Sequence, residues 1–185
     1  MPITLGSSHF ATQTWEIQRT NNFEIQISGL DDLVGAGSAR LITLAVESGF
    51  LPSEQSNVVE LNYSNTVSKV AGTTTYSSGN LVVKDAIQED IEKIIRTWRK
   101  HVYDPTGDVL GTKDAVGLAF NYKKDARVIQ YAPDGTLERT WILQGVWPSS
   151  VDYGPLDYTS AGAKKTITMT IEYDKAIREE DSELA

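Results

Sequence analysis

The sequence predicts a mainly β chain of the α+β class, an antiparallel barrel or sandwich of about eight strands with one α-helix packed against it. Three observations carry that expectation. The first is a hairpin signal within 127–157, where two β-prone runs, Arg127–Tyr131 and Leu137–Val146, flank Pro133-Asp134-Gly135. Proline presets φ at the first corner of a turn, and glycine accepts the left-handed angle that closes the loop with a bulge. The second is a strand of clean period two: Ile167, Met169, Ile171 and Tyr173 alternate with Thr166, Thr168, Thr170 and Glu172, giving one oily and one polar face. The third is an amphipathic segment from Ala86 to about Tyr103. Its Ile87, Ile91, Ile94, Ile95, Trp98 and Val102 form one stripe on a 3.6-residue period.

The 185 residues, 40% of them hydrophobic, suffice for one core and one domain. The formal net charge is −8 and the pI about 4.8. Such a surface argues against wrapping nucleic acid or binding anionic membranes, which require Lys/Arg stripes; solubility alone is the plainer explanation. No cysteine is present, which excludes a disulfide framework, thiolate chemistry and zinc–thiolate sites. No apolar run approaches the roughly 20 residues of a membrane span. Met1–Phe10 lacks the basic and apolar regions of a signal peptide, so a soluble protein made in the cytoplasm is expected.

In chain order, Met1–Thr14 is small, polar and aperiodic and reads as an N-terminal arm. The domain is expected over 15–177. Phe23, Ile25 and Ile27 alternate with Glu24, Gln26 and Ser28 as a strand with one buried face. Gly29 to Gly37 reads as a turn, and a strand is expected at about Arg40–Val46. Val58, Val59, Leu61 and Tyr63 suggest another strand. Asn65–Ser78 is Ser/Thr-rich with scattered apolar residues, and a stretch this long with little buried surface is functional or mobile. It is either a loose hairpin or an arm that packs on another subunit, with Val67, Val70 and Tyr76 as contacts.

Asn80–Lys84 is a short strand, and the helix follows. Asp85 is placed as its N-cap, with Gln88 completing a capping box. Acids Glu89, Asp90 and Glu92 come first and bases Arg96, Arg99 and Lys100 last, matching the helix dipole. Ile91, Ile94 and Trp98 are its core anchors. Asp104–Ala115 reads as an exposed loop and Val116–Tyr122 as a strand. The second hairpin strand is expected to stop at Trp147-Pro148, a corner where a large ring is buried and Pro148 lacks the N–H to continue. Asp152–Ala163 is a connection, and Arg178–Ala185 an acidic, frayed tail.

The catalytic inventory is thin. His9 lies in the polar arm and His101 at the helix end, where a capping or surface role outweighs catalysis by about nine to one. No metal-ligand spacing occurs, and Gly35-Ala36-Gly37 lacks the remainder of a phosphate-binding motif. Asp31-Asp32 and Asp152/Asp157 are more simply turn formers than an acid–base pair. No enzyme, cofactor or metal is expected.

Several motifs in order resemble the tail tube proteins of contractile-tailed bacteriophages. These are Ala71-Gly72-Thr73 ahead of a short strand and a helix ending near Trp98; Tyr122-Lys123-Lys124; Val128-Ile129-Gln130-Tyr131-Ala132; Leu143-Gln144-Gly145-Val146-Trp147-Pro148; and Leu156-Asp157-Tyr158 before the final strand. The resemblance spans most of Phe23–Asp174. It implies hexameric rings whose sheets join into a continuous β-barrel around a channel, with the helix outside and an arm reaching the next ring. Implied partners are further copies of the chain, a sheath, a baseplate or tail initiator, and a tape-measure protein. DNA would pass through the lumen without specific binding. Glu24, Gln26, Thr168, Thr170 and Glu172 are lumen candidates, as the polar faces of the two cleanest strands. The leader Met1–Thr14 and the Asp104–Ala115 loop look longer than a minimal member needs.

The sheet pattern and the charge agree with this picture, since open sheet edges need a partner and an acidic channel would not retain DNA. Related machines share the fold: tailocins, contractile injection particles and type VI secretion tubes. From another class, a ligand-binding β-barrel would use Tyr63, Tyr76, Tyr153 and Tyr158. An enzyme ranks last.

Overall fold

The structure, a computed structural model, describes residues 18–87, 91–106, 109–112, 115–116, 119–159 and 162–182. The N-terminal arm Met1–Thr14, Gln88 of the expected capping box and the last residues of the tail lie outside them. The chain begins with strand β1 (Phe23–Ile27), two short helices, α1 (Leu30–Val34) and α2 (Ser38–Ala45), and strand β2 (Val46–Ser48). Strands β3 (Glu54–Tyr63), β4 (Thr66–Tyr76) and β5 (Gly79–Lys84) precede helix α3 (Ile91–Val102). Next come β6 (Tyr103–Asp104), β7 (Val109–Thr112), β8 (Ala115–Val116) and α4 (Ala119–Tyr122). The chain continues through β9 (Lys124–Tyr131), β10 (Leu137–Asp152), β11 (Thr166–Glu172), β12 (Lys175–Arg178) and α5 (Glu179–Ser182).

A seven-stranded antiparallel sheet runs β1-β9-β10-β11-β5-β2, with β12 also on β10. It folds on itself along β10. The first half of that strand pairs β9 (Trp141 opposite Val128) and β12 (Gln144 opposite Lys175). The second half pairs β11, with Trp147 opposite Glu172 and Val151 opposite Met169. The offset is the same on either side of Tyr173-Asp174, so β11 and β12 act as one bent strand along one edge of β10. Two leaves result, β1-β9-β10-β12 and β10-β11-β5-β2. Their inner faces share one core: Ile25, Ile27, Ala126, Val128 and Leu143 from the first leaf, Leu81, Val83, Ile167, Met169 and Ile171 from the second. Alternation along each strand is what places them there.

The expected stop at Trp147-Pro148 is corrected. The strand continues to Asp152, and Pro148 is buried opposite Ile171 beside a register shift. Proline is tolerated because the pairing is irregular there. The bend itself sits at Gly145, at φ 71, an angle glycine adopts without strain. Trp147 is half-buried and meets Tyr122 edge-on, with centroids 5.6 Å apart.

Other expectations also change. The turn and strand read at 29–46 are α1 and α2, each preceded by a glycine in the left-handed region (Gly29 φ 77, Gly37 φ 89). Leu30 and Ile42 anchor them in the core. Asp31 Oδ1 accepts the Ala39 N–H at 2.8 Å, supplying the second helix start with the acceptor that Gly37 lacks. The strand read at Val116–Tyr122 is instead the two-residue β8 and helix α4, and the 104–115 loop carries the small sheet β6-β7-β8. Arg178, assigned to a frayed tail, pairs Trp141 as the last residue of β12.

Helix α3 buries Ile91, Ile94, Ile95 and Trp98, and Trp98 Nε1 donates to the Tyr122 carbonyl at 2.8 Å. Ile87, read as the start of this stripe, is fully exposed ahead of the helix. The capping role expected of Asp85 falls on residues outside the described ones. The Asp85 carboxylate pairs with Lys165 Nζ at 2.8 Å, an ammonium that Glu92 also holds at 2.9 Å. The two acids push the Lys165 pKa up to about 12.

Candidate assembly surfaces

The most exposed element is the hairpin of β3 and β4, which pairs with no other strand among the described residues. Every residue of β3 is exposed, and all of β4 except Gly72 and Tyr76. The hairpin has two chemically different faces. On one, Val59 lies opposite Val70, Leu61 opposite Ser68 and Tyr63 opposite Thr66. On the other, Val58 faces Ala71, Glu60 faces Lys69 in an ion pair of 3.4 Å, and Asn62 faces Val67. An exposed two-stranded ribbon is marginal in water by itself. Val59, Leu61, Tyr63 and Val70 keep 45%, 38%, 63% and 42% of their surface in solvent, the kind of apolar stripe that marks an interaction site.

The three arm residues expected to act together do not share a surface. Val70 is on the apolar face and Val67 on the charged one. Tyr76 stands at the root, 5.8 Å from the Tyr173 ring, which also stacks on Phe50 at 5.9 Å. This aromatic cluster fixes the hairpin to the core, and the Tyr173 hydroxyl accepts the Ser53 N–H at 3.1 Å. Val59 and Leu61, read from sequence as strand only, and Tyr63, read as strand and as a ligand-binding aromatic, belong with Val70. Their signal was already present as alternation opposite Val70.

A second feature is the set of open sheet edges. The outer edges of β1, β2 and β12 carry no strand among the described residues, and unpaired N–H and C=O rows invite a partner chain.

The five lumen candidates divide between the two leaves. Glu24 and Gln26 lie on the outer face of the first leaf, where Glu24 accepts from Gln26 Nε2 at 2.8 Å and from the Tyr131 hydroxyl at 2.9 Å. That contact raises the Tyr131 pKa. Thr168, Thr170 and Glu172 lie on the outer face of the second leaf, where Ser150 Oγ donates to Thr170 Oγ1 at 2.9 Å. The two faces point away from each other across the core. Ile129 and Thr140, paired on the outer side of the first leaf, are nevertheless buried; the chain itself covers part of that face.

The remaining polar candidates hold turns. Asp152 accepts the Gly154 N–H at 3.0 Å and Asp157 accepts from Thr159 at 2.8 Å. His101 is half-buried, its pKa lowered by desolvation against an opposing backbone hydrogen bond with Leu33. The tyrosines of the ligand-binding alternative do not converge: Tyr63 is at the hairpin tip, Tyr76 at its root, and Tyr153 beside Arg96 and Arg99. No group of three or more His, Cys, Asp or Glu is placed to hold a metal among the described residues.

A two-leaved β sandwich with an outlying hairpin and flanking helices is a fold found in solved contractile injection machines. At TM-score 0.64 and 13% identity it matches a solved anti-feeding prophage tube-terminating cap, over 97% of this chain and 99% of that one. At TM-score 0.57 and 13% identity it matches the chain of an extracellular contractile injection system sheath–tube complex, over 95% and 99%. In sequence the chain is homologous to phage tail tube proteins. It is 25% identical over 165 residues to the tail tube protein gp19 of Enterobacteria phage T4, covering 89% of this chain and 93% of the relative. No protein-family model matches the sequence.

Proposed function

We propose that this chain is a structural subunit of a phage tail tube, a virion component that self-assembles into stacked hexameric rings and forms the conduit for the genome. The observation that carries this reading is the β3–β4 hairpin. Its long apolar face has no partner strand among the described residues, in a chain homologous along 165 residues to a tail tube protein. The open edges of β1, β2 and β12 support ring closure by strand pairing between copies. The role is structural rather than catalytic. Sheath, baseplate or initiator, and tape-measure proteins are the partners such a tube requires.

The second leaf supplies the channel wall in this reading. Its outer face is a ladder in which Asn80, Ser150, Thr168 and Thr170 stand between the charged Asp152, Glu172 and Lys84, whereas the first leaf's outer face is partly covered. A polymer-linked maleimide too bulky for the lumen should label Thr170→Cys in free subunits and not in tubes. Equal labelling in both states would exclude this wall.

Negative-stain electron microscopy of the concentrated protein, beside its light-scattering mass, tests the function itself. Rings or hollow tubes are expected. A monomer at every concentration that also failed to extend purified tail initiators would overturn the reading.

A further inference from the structure

We infer that the basic outer face of helix α3 is the docking surface for the acidic C-terminal segment of a second copy of this chain. The inference rests on the self-assembly reading above and assigns one of its contacts. In a chain of net charge −8, α3 carries Lys93, Arg96, Arg99 and Lys100 against the single acid Glu92. Lys93, Arg96 and Lys100 recur at i, i+3 and i+7, diametrically opposite the buried Ile91, Ile94, Ile95 and Trp98. The helix dipole favours the bases of the last turn, Arg99 and Lys100. Arg96, Arg99 and Lys100 have no ion pair among the described residues. Open grooves of about 500 Å³ and 290 Å³ flank the row, the first bounded by Glu92, Lys93, Arg96, Thr97 and Lys100, the second by Arg96, Arg99, Tyr103 and Tyr153.

The proposed occupant follows from where the chain places its densest acids. Glu179, Glu180, Asp181 and Glu183 crowd the C-terminal segment, which follows β12, one edge of the first leaf, as the short helix α5 lying against β10 and β12, with Glu180 paired to Arg178 at 3.2 Å. The opposite edge of that leaf is β1, against which α2 packs, and α2 in turn packs on α3. When copies join edge to edge, β12 of one toward β1 of the next, the acidic end of one arrives beside the helices of its neighbour. The contact is head-to-tail, the kind that closes into a ring. It also offsets the repulsion among acidic copies brought together.

The test is a charge swap. Arg96→Glu/Lys100→Glu should stay folded by circular dichroism yet raise the concentration needed for ring or tube formation by about tenfold at low salt. Glu180→Lys/Asp181→Lys/Glu183→Lys should do the same, and the combined variant should return to within about threefold of the natural chain. Normal assembly of the helix variant, or no recovery in the combined one, overturns the inference while leaving the tube reading intact. If the natural chain forms neither rings nor tubes, the tube reading fails, and docking is decided by a fluorescent peptide of residues 178–185 added to the subunit. Salt-sensitive binding that the helix variant loses by about tenfold supports the contact; absent or unchanged binding removes it.

Discussion

The Asp174 carboxylate occupies the place where a side chain on Gly145 would be: a Cβ built there comes within 2.8 Å of Asp174 Cγ. Lys123 Nζ holds the same carboxylate at 2.7 Å, and the Asp174 N–H donates to the Gln144 carbonyl at 2.9 Å. The bend shared by β10 and the β11–β12 strand is thus built from one glycine and one anchored acid. Gly145→Ala meets both a positive φ of 71 and the displaced carboxylate, and should cost about 2–3 kcal/mol. Urea unfolding measures it; a loss below about 0.5 kcal/mol would mean the bend tolerates a side chain.

Sequence reading succeeded where periodicity had a single interpretation. Ile167, Met169 and Ile171 alternate without interruption and are buried, and the Pro133-Asp134-Gly135 turn joins β9 to β10 as expected. It failed where two periods compete. Leu41, Ile42 and Ala45 fit helical spacing as well as a strand, and only burial of Ile42 beneath β1 decides for α2. Pro148 misled because local chemistry argues against a strand, while the irregular pairing that permits it depends on residues some twenty positions away. Of the candidate surfaces, Val67 and Val70 were individually visible. Their separation onto opposite faces required the hairpin register, which no single strand discloses.

Trp98 links α3 to two neighbours at once, through its buried ring and through the 2.8 Å bond from Nε1 to the Tyr122 carbonyl. Trp98→Ala leaves a cavity and an unsatisfied carbonyl, with an expected loss of about 3–5 kcal/mol. Trp98→Phe retains most of the ring and should lose about 1–2 kcal/mol. Thermal unfolding of the pair separates packing from the hydrogen bond; equal losses would assign the whole effect to the bond.

His101 predicts an acid limb in the stability curve. Burial, with Lys124 nearby, lowers its folded-state pKa below the ordinary 6.5, against the opposing Leu33 backbone bond. The unfolded chain therefore binds its proton more readily in the window below 6.5, and stability falls as pH falls through that window. His101→Gln should flatten this limb and leave stability at pH 8 within about 0.5 kcal/mol of the natural chain. Chemical unfolding at pH 8, 6.5 and 5 decides; an unchanged slope in the variant would place the limb on other groups.

The two faces of the β3–β4 hairpin predict two different outcomes from similar substitutions. Val59, Leu61 and Val70 share the apolar face, while Val58 and Val67 share the face carrying the Glu60–Lys69 pair. All five are exposed in the subunit, so replacing them with serine should change subunit stability by no more than about 0.5 kcal/mol each. Assembly should separate them. The Val59→Ser/Leu61→Ser/Val70→Ser variant loses the apolar surface that a neighbouring copy would bury, and no tubes are expected by electron microscopy at concentrations where the natural chain forms them. Val58→Ser/Val67→Ser alters a face that already mixes charge with apolar atoms, so tubes should persist at a higher threshold concentration. Tubes from the triple variant alongside their loss in the double variant would reverse the assignment of the two faces, because register fixes which residues travel together.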